Sequence, residues 1–176
     1  MSYNIHPIFV HFPIALLFVY SVIKILPFKK WFPSVAWHDI EGALLFVGVF
    51  GAFGALATGD TAEHLTHPNR QLVDMHSTFG AASTWLYGSL LLGEISAFIN
   101  ARTYTSRYAF FAKYPVVVKI LALLEQVFCN RVFSSILALV ALITLSITGV
   151  LGGVLAYGLT ADPFAATLVS WLGITL

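Results

Sequence analysis

The chain has 176 residues, of which 59% are hydrophobic and 10% charged, and its mean hydropathy is +0.86. This composition leaves too little polar surface to coat a soluble domain of that size and favours a membrane protein. The net charge of +1 provides no polybasic surface, so nucleic acid is not expected as a partner. The single cysteine, Cys129, excludes an internal disulfide, a Cys-x-x-Cys-His haem attachment and a thiolate metal cluster.

Four apolar stretches are long enough to cross the hydrocarbon core of a bilayer, which takes roughly 20 residues of helix. They run from about 7 to 26, 40 to 58, 74 to 99 and 133 to 159. The polar stretch from Gly59 to Val73 is predicted to be a loop. Because Met1 to Ile5 contains no basic residue, we expect the first stretch to be a retained helix rather than a cleaved signal peptide. The predicted fold is an all-α membrane protein, a four-transmembrane-helix bundle that forms a single transmembrane domain over 1–176.

Two further apolar segments are not expected to span the membrane. The insert 104–131 contains the charged residues Lys119 and Glu125, and Pro115 suits the first position of a helix. We therefore expect an additional interfacial or cytoplasmic helical segment before the fourth span. The tail 164–176 is too short to span and is predicted to lie at the interface or to re-enter it.

The basic residues predict the orientation of the bundle. Only Arg70 lies between the second and third spans, whereas the other eight Lys and Arg lie at or beyond the opposite ends of the spans. The positive-inside rule then puts the connections 27–39 and 100–132 in the cytoplasm and the N-terminus outside.

Five of the six histidines fall on the predicted outer side, together with four carboxylates and one arginine. These histidines are His6, His11, His64, His67 and His76. The carboxylates are Asp60, Glu63, Asp74 and Asp162. Imidazoles gathered at one end of an apolar bundle indicate ligands for haem or a metal ion. His38, alone on the cytoplasmic side, is expected to be an ordinary hydrogen-bonded interface residue.

The first helix restricts how its two histidines are used. Pro7 suits the first helical position, which puts His6 at the cap and His11 about one turn deeper. Five residues turn a helix by roughly 140°, so both rings reach one small site only if Pro13 distorts the helix. Otherwise one ring ligates and the other supports it. His76 opens the third span at a similar depth and completes the predicted pair.

Small residues lie where a cofactor needs room. Gly152 and Gly153 end the fourth span at the depth of the histidines, and Gly48, Gly51 and Gly54 recur along the second. Glycines allow helices to pack closely in lipid, and they equally allow a flat macrocycle to lie against backbone. Both interpretations stay open for Gly152 and Gly153; close packing is favoured for the other run.

Glu94 shares a helix face with His76, because 18 residues make five full turns. A carboxylate at this position either takes part in a proton path or reaches towards the interface.

These observations favour a b-type cytochrome that holds one haem b near the outer face through His76 with His11 or His6. Bis-imidazole ligation leaves no open position on iron and suits electron transfer rather than stand-alone enzyme chemistry. The expected partners are the lipid bilayer and an extracytoplasmic redox protein or quinone. Two alternatives stay open: a site for a copper, zinc or iron ion formed by the five histidines and nearby carboxylates, and a cofactor-free accessory subunit of a larger respiratory or photosynthetic complex.

The opening sequence HPIFVHFPIAL, from His6 to Leu16, resembles the start of a bacterial membrane-protein family known as domain of unknown function 2231. Gly59, His76 and the GGVLAY ending from Gly152 to Tyr157 also match that pattern. The resemblance covers roughly His6 to Gly158.

The resemblance implies a four-helix protein of the bacterial inner membrane with no assigned activity. Relatives fused to Rieske or cytochrome c domains point to electron transfer, and the family's motif histidines correspond to His6, His11 and His76. The pair His64 and His67 lies outside the pattern, and the insert 104–131 is longer than the pattern leads us to expect.

Overall fold

Helix is the regular secondary structure throughout the described part of the chain. The computed structural model describes residues 6–66, 69–102, 109–161 and 163–175, with the side chains of all but 7, 8, 60–66, 109 and 161. The helices are α1 (His6–Ile25), α2 (Phe28–Trp31), α3 (Trp37–Thr66), α4 (Arg70–Arg102), α5 (Ala109–Ala112), α6 (Pro115–Phe128), α7 (Arg131–Tyr157) and α8 (Ala165–Trp171). A 3₁₀ turn, Leu159–Ala161, lies between α7 and α8. The predicted all-α class is confirmed.

The four long helices form a bundle in which α1 and α4 occupy opposite corners. Helix α1 packs against α3 and α7, and α4 packs against the same two helices. Side chains of α1 and α4 therefore meet along the bundle axis. The hydroxyls of Ser21 and Tyr87 do so, with a hydrogen bond of 2.6 Å between Ser21 Oγ and Tyr87 Oη.

The apolar core lies between two polar layers. Leu17, Leu45, Leu90 and Ala141 are buried at its centre, with Tyr20 edge-on to Tyr87. We call one layer the histidine layer: His6, Thr58, His76 and Thr148. We call the other the ion-pair layer: Lys24, Glu41 and Glu94.

The separation of the two layers is nearly equal along three helices. From His6 to Lys24 and from His76 to Glu94 the chain advances 18 residues, and from Glu41 to Thr58 it advances 17. At 1.5 Å per residue these helical stretches measure about 25–27 Å. Each helix thus covers nearly the roughly 30 Å thickness of a bilayer's hydrocarbon core.

Two of the described helices are long and apolar enough to cross a membrane by length and composition. They are the stretch Trp37–Gly59 of α3 and the whole of α7. The apolar stretch Phe9–Ile25 of α1 is shorter, and α4 is not among the candidates. The four predicted spans therefore stay a prediction.

One sequence expectation about the fold is wrong. Residues 59–73 were expected to form a loop, but α3 continues to Thr66 and α4 begins at Arg70. No proline follows Gly59 until Pro68, and residues such as Ala62, Glu63 and Leu65 are favourable in a helix. The backbone of His64 is therefore helical, and only residues 67–69 lie between the two helices.

The insert and the tail both carry helices. Pro115 is the first residue of α6, as predicted, and this helix packs along the end of α4. At the other end of the bundle Ala165, Val169 and Ile174 are buried against the ends of α4 and α7. Asn69 and Gln71 donate hydrogen bonds to the tail carbonyls of Thr175 and Gly173. The tail thus covers the end where the histidine layer lies, and its position at a membrane interface stays a prediction.

Candidate functional site

His76 is held in a defined orientation by the neighbouring helix α7. Its Nδ1 lies 3.1 Å from the carbonyl oxygen of Thr148. Because a carbonyl only accepts hydrogen bonds, Nδ1 carries the proton and donates it to this bond. The neutral ring then has its lone pair on Nε2, the arrangement found in most histidine ligands.

His6 is held by α3 in a similar way. Its Nδ1 lies 2.9 Å from Thr58 Oγ1, and the ring is also within hydrogen-bonding range of the Ala55 carbonyl. Thr58 Oγ1 lies 3.2 Å and 3.0 Å from the carbonyl oxygens of Gly54 and Ala55, to which it donates. Thr58 accepts from Nδ1–H of His6 when its hydroxyl proton is directed to these carbonyls, and it donates to an unprotonated Nδ1 when that proton is directed to the ring.

The two rings belong to opposite corners of the bundle yet lie near each other. His6 and His76 are both partly buried at the same end, and the charge of His6 reaches the ring of His76. Helices α1 and α4 therefore each contribute one imidazole to this end of the bundle. This pairing of His6 with His76 is the geometry on which the site depends.

The other three candidate histidines are differently situated. His11 lies on the exposed face of α1, as the 140° rotation from His6 requires. The side chain of His64 and the whole of His67 lie outside the described residues. Their predicted roles as cofactor or metal ligands stay predictions.

The glycines of α7 differ in what surrounds them. A Cβ atom on Gly152 would lie 3.1 Å from His76 Cε1, so this glycine makes room for the imidazole itself. A Cβ on Gly153 would have nothing within 4 Å. In the α3 run, Cβ atoms on Gly48 and Gly51 would crowd Leu17 and Pro13, which agrees with the close-packing interpretation.

The donor atoms at this end are few. Among the residues whose side chains are described, no group of three or more His, Cys, Asp or Glu is placed to hold a metal ion. The candidate site in the described part of the chain comprises the imidazoles of His6 and His76. Asp60 and Glu63, proposed with the metal alternative, have side chains outside the description.

Sequence reasoning missed the threonines that orient the imidazoles and the carboxylate Glu41 at the opposite end. Glu41 is only 1% exposed and contacts Lys24 and Lys29. Burying an unpaired carboxylate at the start of an apolar helix is costly, so such a residue needs a partner. This requirement is the signal that marks Glu41 in the sequence. Thr58 and Thr148 carry no such signal, because threonine in a helix commonly bonds its own backbone.

Residues 2–162 match the model of the family DUF2231, described as a predicted membrane protein. The chain belongs to this family. The resemblance seen in the HPIFVHFPIAL opening is thereby confirmed, and with it the membrane environment. No curated protein and no solved structure matches the chain.

Proposed function

We propose that this family member is a b-type cytochrome-like electron-transfer protein that binds one haem between His6 and His76. The carrying observation is the pairing of two imidazoles from opposite corners of the bundle at one level. The ring of His76 is turned by the Thr148 carbonyl so that its ligating nitrogen is Nε2.

The donor set fits haem better than a bare metal ion. Haem iron takes up to two axial ligands from the protein, whereas a zinc site in a protein takes three or four side chains. The described residues provide two imidazoles and no larger group. A metal ion would need further donors from 60–68, which keeps the alternative dependent on His64 and His67.

Residues of the neighbouring helices orient the two imidazole rings. Thr148 and Thr58 fix the two rings through their Nδ1 side, and Gly152 gives the ring of His76 room against α7. A haem bound in this way supplies one-electron chemistry. Bis-imidazole ligation suits exchange with a separate redox protein or with quinone.

Four membrane crossings belong to the same proposal. The 17 or 18 residues between the polar layers on α1, α3 and α4 correspond to the thickness of a hydrocarbon core. The bases Lys24 and Lys29 lie at the end away from the histidines. We therefore propose a multi-pass protein of the bacterial inner membrane with its histidine layer and N-terminus on the extracytoplasmic side.

The test is the optical spectrum of the full chain purified in detergent after expression with haem supplied. The wild-type protein is expected to show a Soret band and, when reduced, an α band. His6→Ala and His76→Ala are each expected to lose most of the haem, because bis-imidazole ligation needs both rings. His38→Ala, at the opposite end, is the matched control and should retain it.

Four results would contradict the proposal in different ways. No haem in the wild type rejects a cytochrome. Loss of haem in His11→Ala, with haem retained in His6→Ala, would make His11 rather than His6 the partner of His76. Stoichiometric copper, zinc or iron without a haem spectrum favours the metal-ion alternative. Tight co-purification with a multi-subunit complex, without iron, favours an accessory subunit; the exposed rings of Phe110 and Trp171 suit such a lateral interface.

A further inference from the structure

Helix α6 has three distinct faces along its length. The face that packs against α4 consists of partly buried residues, namely Val118, Leu121, Leu124, Glu125 and Phe128. The second face is exposed and polar, with Lys119 and Gln126. The third face is exposed and apolar, and its residues are between 38% and 68% exposed: Val116, Ile120, Leu123 and Val127. We call this third face the α6 stripe.

Contacts with α4 give the direction of α6. Glu125 Oε2 accepts a hydrogen bond of 2.7 Å from Asn100. Three residues later Phe128 packs so closely against Gly93 that a Cβ atom on the glycine would overlap it. As α6 advances, its contacts therefore move back along α4, so the two helices are antiparallel. The C-terminal end of α6 lies level with the ion-pair layer, which contains Glu94, and its N-terminal half extends beyond that layer.

The α6 stripe is not placed as a lipid-facing surface. In the proposed arrangement of four crossings the ion-pair layer marks the cytoplasmic boundary of the hydrocarbon core, and most of α6 lies outside it. Contiguous apolar side chains that are exposed outside hydrocarbon mark an interaction site. A helix that lies flat on a membrane has its polar face opposite to its apolar face. Here Lys119 and Gln126 lie beside the stripe, and Val118 and Glu125 on the opposite side are partly buried.

The spacing of the α6 stripe is that of a coiled-coil seam. Its members are separated by four, three and four residues, as are successive a and d positions of a heptad. Ile120 and Val127 occupy a positions, and Val116 and Leu123 occupy d positions. Both a residues are β-branched and the central d residue is leucine, which is the combination that favours a parallel pair of helices.

The membrane favours the same parallel pairing. Two copies inserted in the same orientation form a closed pair about a two-fold axis along the membrane normal, and equivalent helices that run along this axis are parallel. At the flanking g positions Lys119 and Gln126 would face Val117 and Leu124 of the second copy, so these residues bring no like charges together. Because α6 is already fixed on α4, so short a contact needs little further ordering.

We propose that the α6 stripe is the docking surface for a second copy of this chain, which forms a homodimer through a short parallel coiled coil on the cytoplasmic side. Ile120 and Leu123 form the centre of the contact, and each meets its counterpart in the second copy. The proposal rests on the proposed membrane crossings and not on haem. The stripe and the histidine layer lie at opposite ends of the bundle, so failure of the dimer and failure of the haem assay are separate results.

The first test is the mass of the full chain in mild detergent, measured by sedimentation equilibrium with the detergent density-matched. The wild type is expected to have twice the 19.2 kDa mass of one chain. Ile120→Glu brings two carboxylates together in the seam and should raise the dissociation constant on the order of a hundredfold, because both copies lose a buried isoleucine. Gln126→Glu, on the exposed polar face of the same helix, is the matched control and should remain dimeric.

The second test is disulfide formation in membranes under mild oxidation, which reports how the two helices align. In a Cys129→Ser background each variant carries one cysteine. Val116→Cys and Leu123→Cys should each give a covalent dimer, because in a parallel pair every d residue meets its own counterpart. Ala122→Cys, which is exposed away from the seam, is the control and should remain uncrosslinked. These variants keep the stripe nearly apolar and decide the question if Ile120→Glu does not fold.

Three results overturn the proposal. A wild type of monomer mass that also gives no cross-link at Leu123→Cys has no second copy on the stripe. A dimer that Ile120→Glu leaves as tight as the wild type uses a different surface. Cross-linking between Val116→Cys and Val127→Cys, without cross-linking of Val116→Cys to itself, makes the pair antiparallel.

Discussion

The two polar layers of this bundle satisfy their buried polar side chains with different chemistry. At the histidine end, uncharged rings are satisfied by oxygen atoms of neighbouring helices, as His76 is by Thr148. At the opposite end, formal charges are buried and satisfied by each other, as Lys24 is by Glu41 and Glu94. A neutral hydrogen bond costs little when it breaks, whereas a buried charge without its partner is expensive. The histidine layer is therefore suited to rearrangement around a ligand, and the ion-pair layer to fixing the helices.

The largest expected effect tests the ion-pair layer. Lys24→Met removes the ammonium shared by two buried carboxylates and is expected to lower the free energy of unfolding by about 3–5 kcal/mol. Thermal unfolding in detergent, followed by circular dichroism, measures it. Lys30→Met on the exposed surface of α2 is the control and should change stability by less than about 0.5 kcal/mol. Equal effects of the two variants would show that the layer contributes no stability.

The histidine layer should be less costly to disturb. Thr58→Val removes the hydroxyl that meets His6 Nδ1 and is expected to cost about 1–2 kcal/mol in the same assay. Thr144→Val is the control, because the hydroxyl of Thr144 donates only to carbonyls of its own helix. A cost for Thr58→Val as large as that for Lys24→Met would remove the proposed difference between the two layers.

Between the layers, the hydrogen bond of Tyr87 with Ser21 joins opposite corners of the bundle. Tyr87→Phe should cost about 1 kcal/mol, because Ser21 keeps its second bond to the Leu17 carbonyl. Tyr157→Phe alters a ring that is 75% exposed and should leave the unfolding free energy unchanged. If Tyr87→Phe lowered the free energy of unfolding by more than Thr58→Val does, the Ser21–Tyr87 hydrogen bond would stabilise the bundle more than the bond of His6 to Thr58.

A smaller effect on stability is expected to distinguish the adjacent glycines Gly152 and Gly153. Gly153→Ala meets open space and is expected to stabilise α7 by up to about 1 kcal/mol through helix propensity. Gly152→Ala should lose that gain, because its Cβ crowds the ring of His76. The two variants are compared by their free energies of unfolding and, in haem-loaded protein, by their haem content. An equal gain in both variants would show that Gly152 does not position His76.

The smallest effect reports on the charge of Glu94. Because that charge raises the pKa of the Cys129 thiol, Glu94→Gln should lower this pKa and increase the thiolate present at neutral pH. Alkylation of the chain's single cysteine is then expected to be on the order of twofold faster. Glu125→Gln should give a smaller increase, since Glu125 contributes less to the raised pKa. Slower alkylation in Glu94→Gln would contradict the arrangement described.

Sequence reasoning identified the features that depend on local pattern. Proline at the first helical position predicted the start of α6 at Pro115, and the 140° rotation separated His6 from His11. The same reasoning failed between 59 and 73, where polar residues indicated a loop and α3 continues instead. Polarity marks exposure rather than the end of a helix, and between Gly59 and Pro68 no Pro or Gly interrupts the backbone hydrogen bonds.

The site could be predicted only as a set of candidates. That His6 and His76 share a depth follows from counting residues along two apolar stretches. That α1 and α4 stand at opposite corners, with His6 bonded to α3 and His76 to α7, depends on which helices pack together. The partners Thr58 and Thr148 depend on the same packing, because nothing in their local sequence distinguishes them from other helical threonines.

By itself, the sequence determined the helical class, the membrane environment and the segregation of imidazoles from basic residues, since these follow from composition and from periodicity along a single helix. Only the tertiary structure decided which rings meet, which oxygen turns His76, and that Lys24 is shared by Glu41 and Glu94. The physical reason is that hydrogen bonds and ion pairs act over a few ångströms, so their partners are set by how the helices pack.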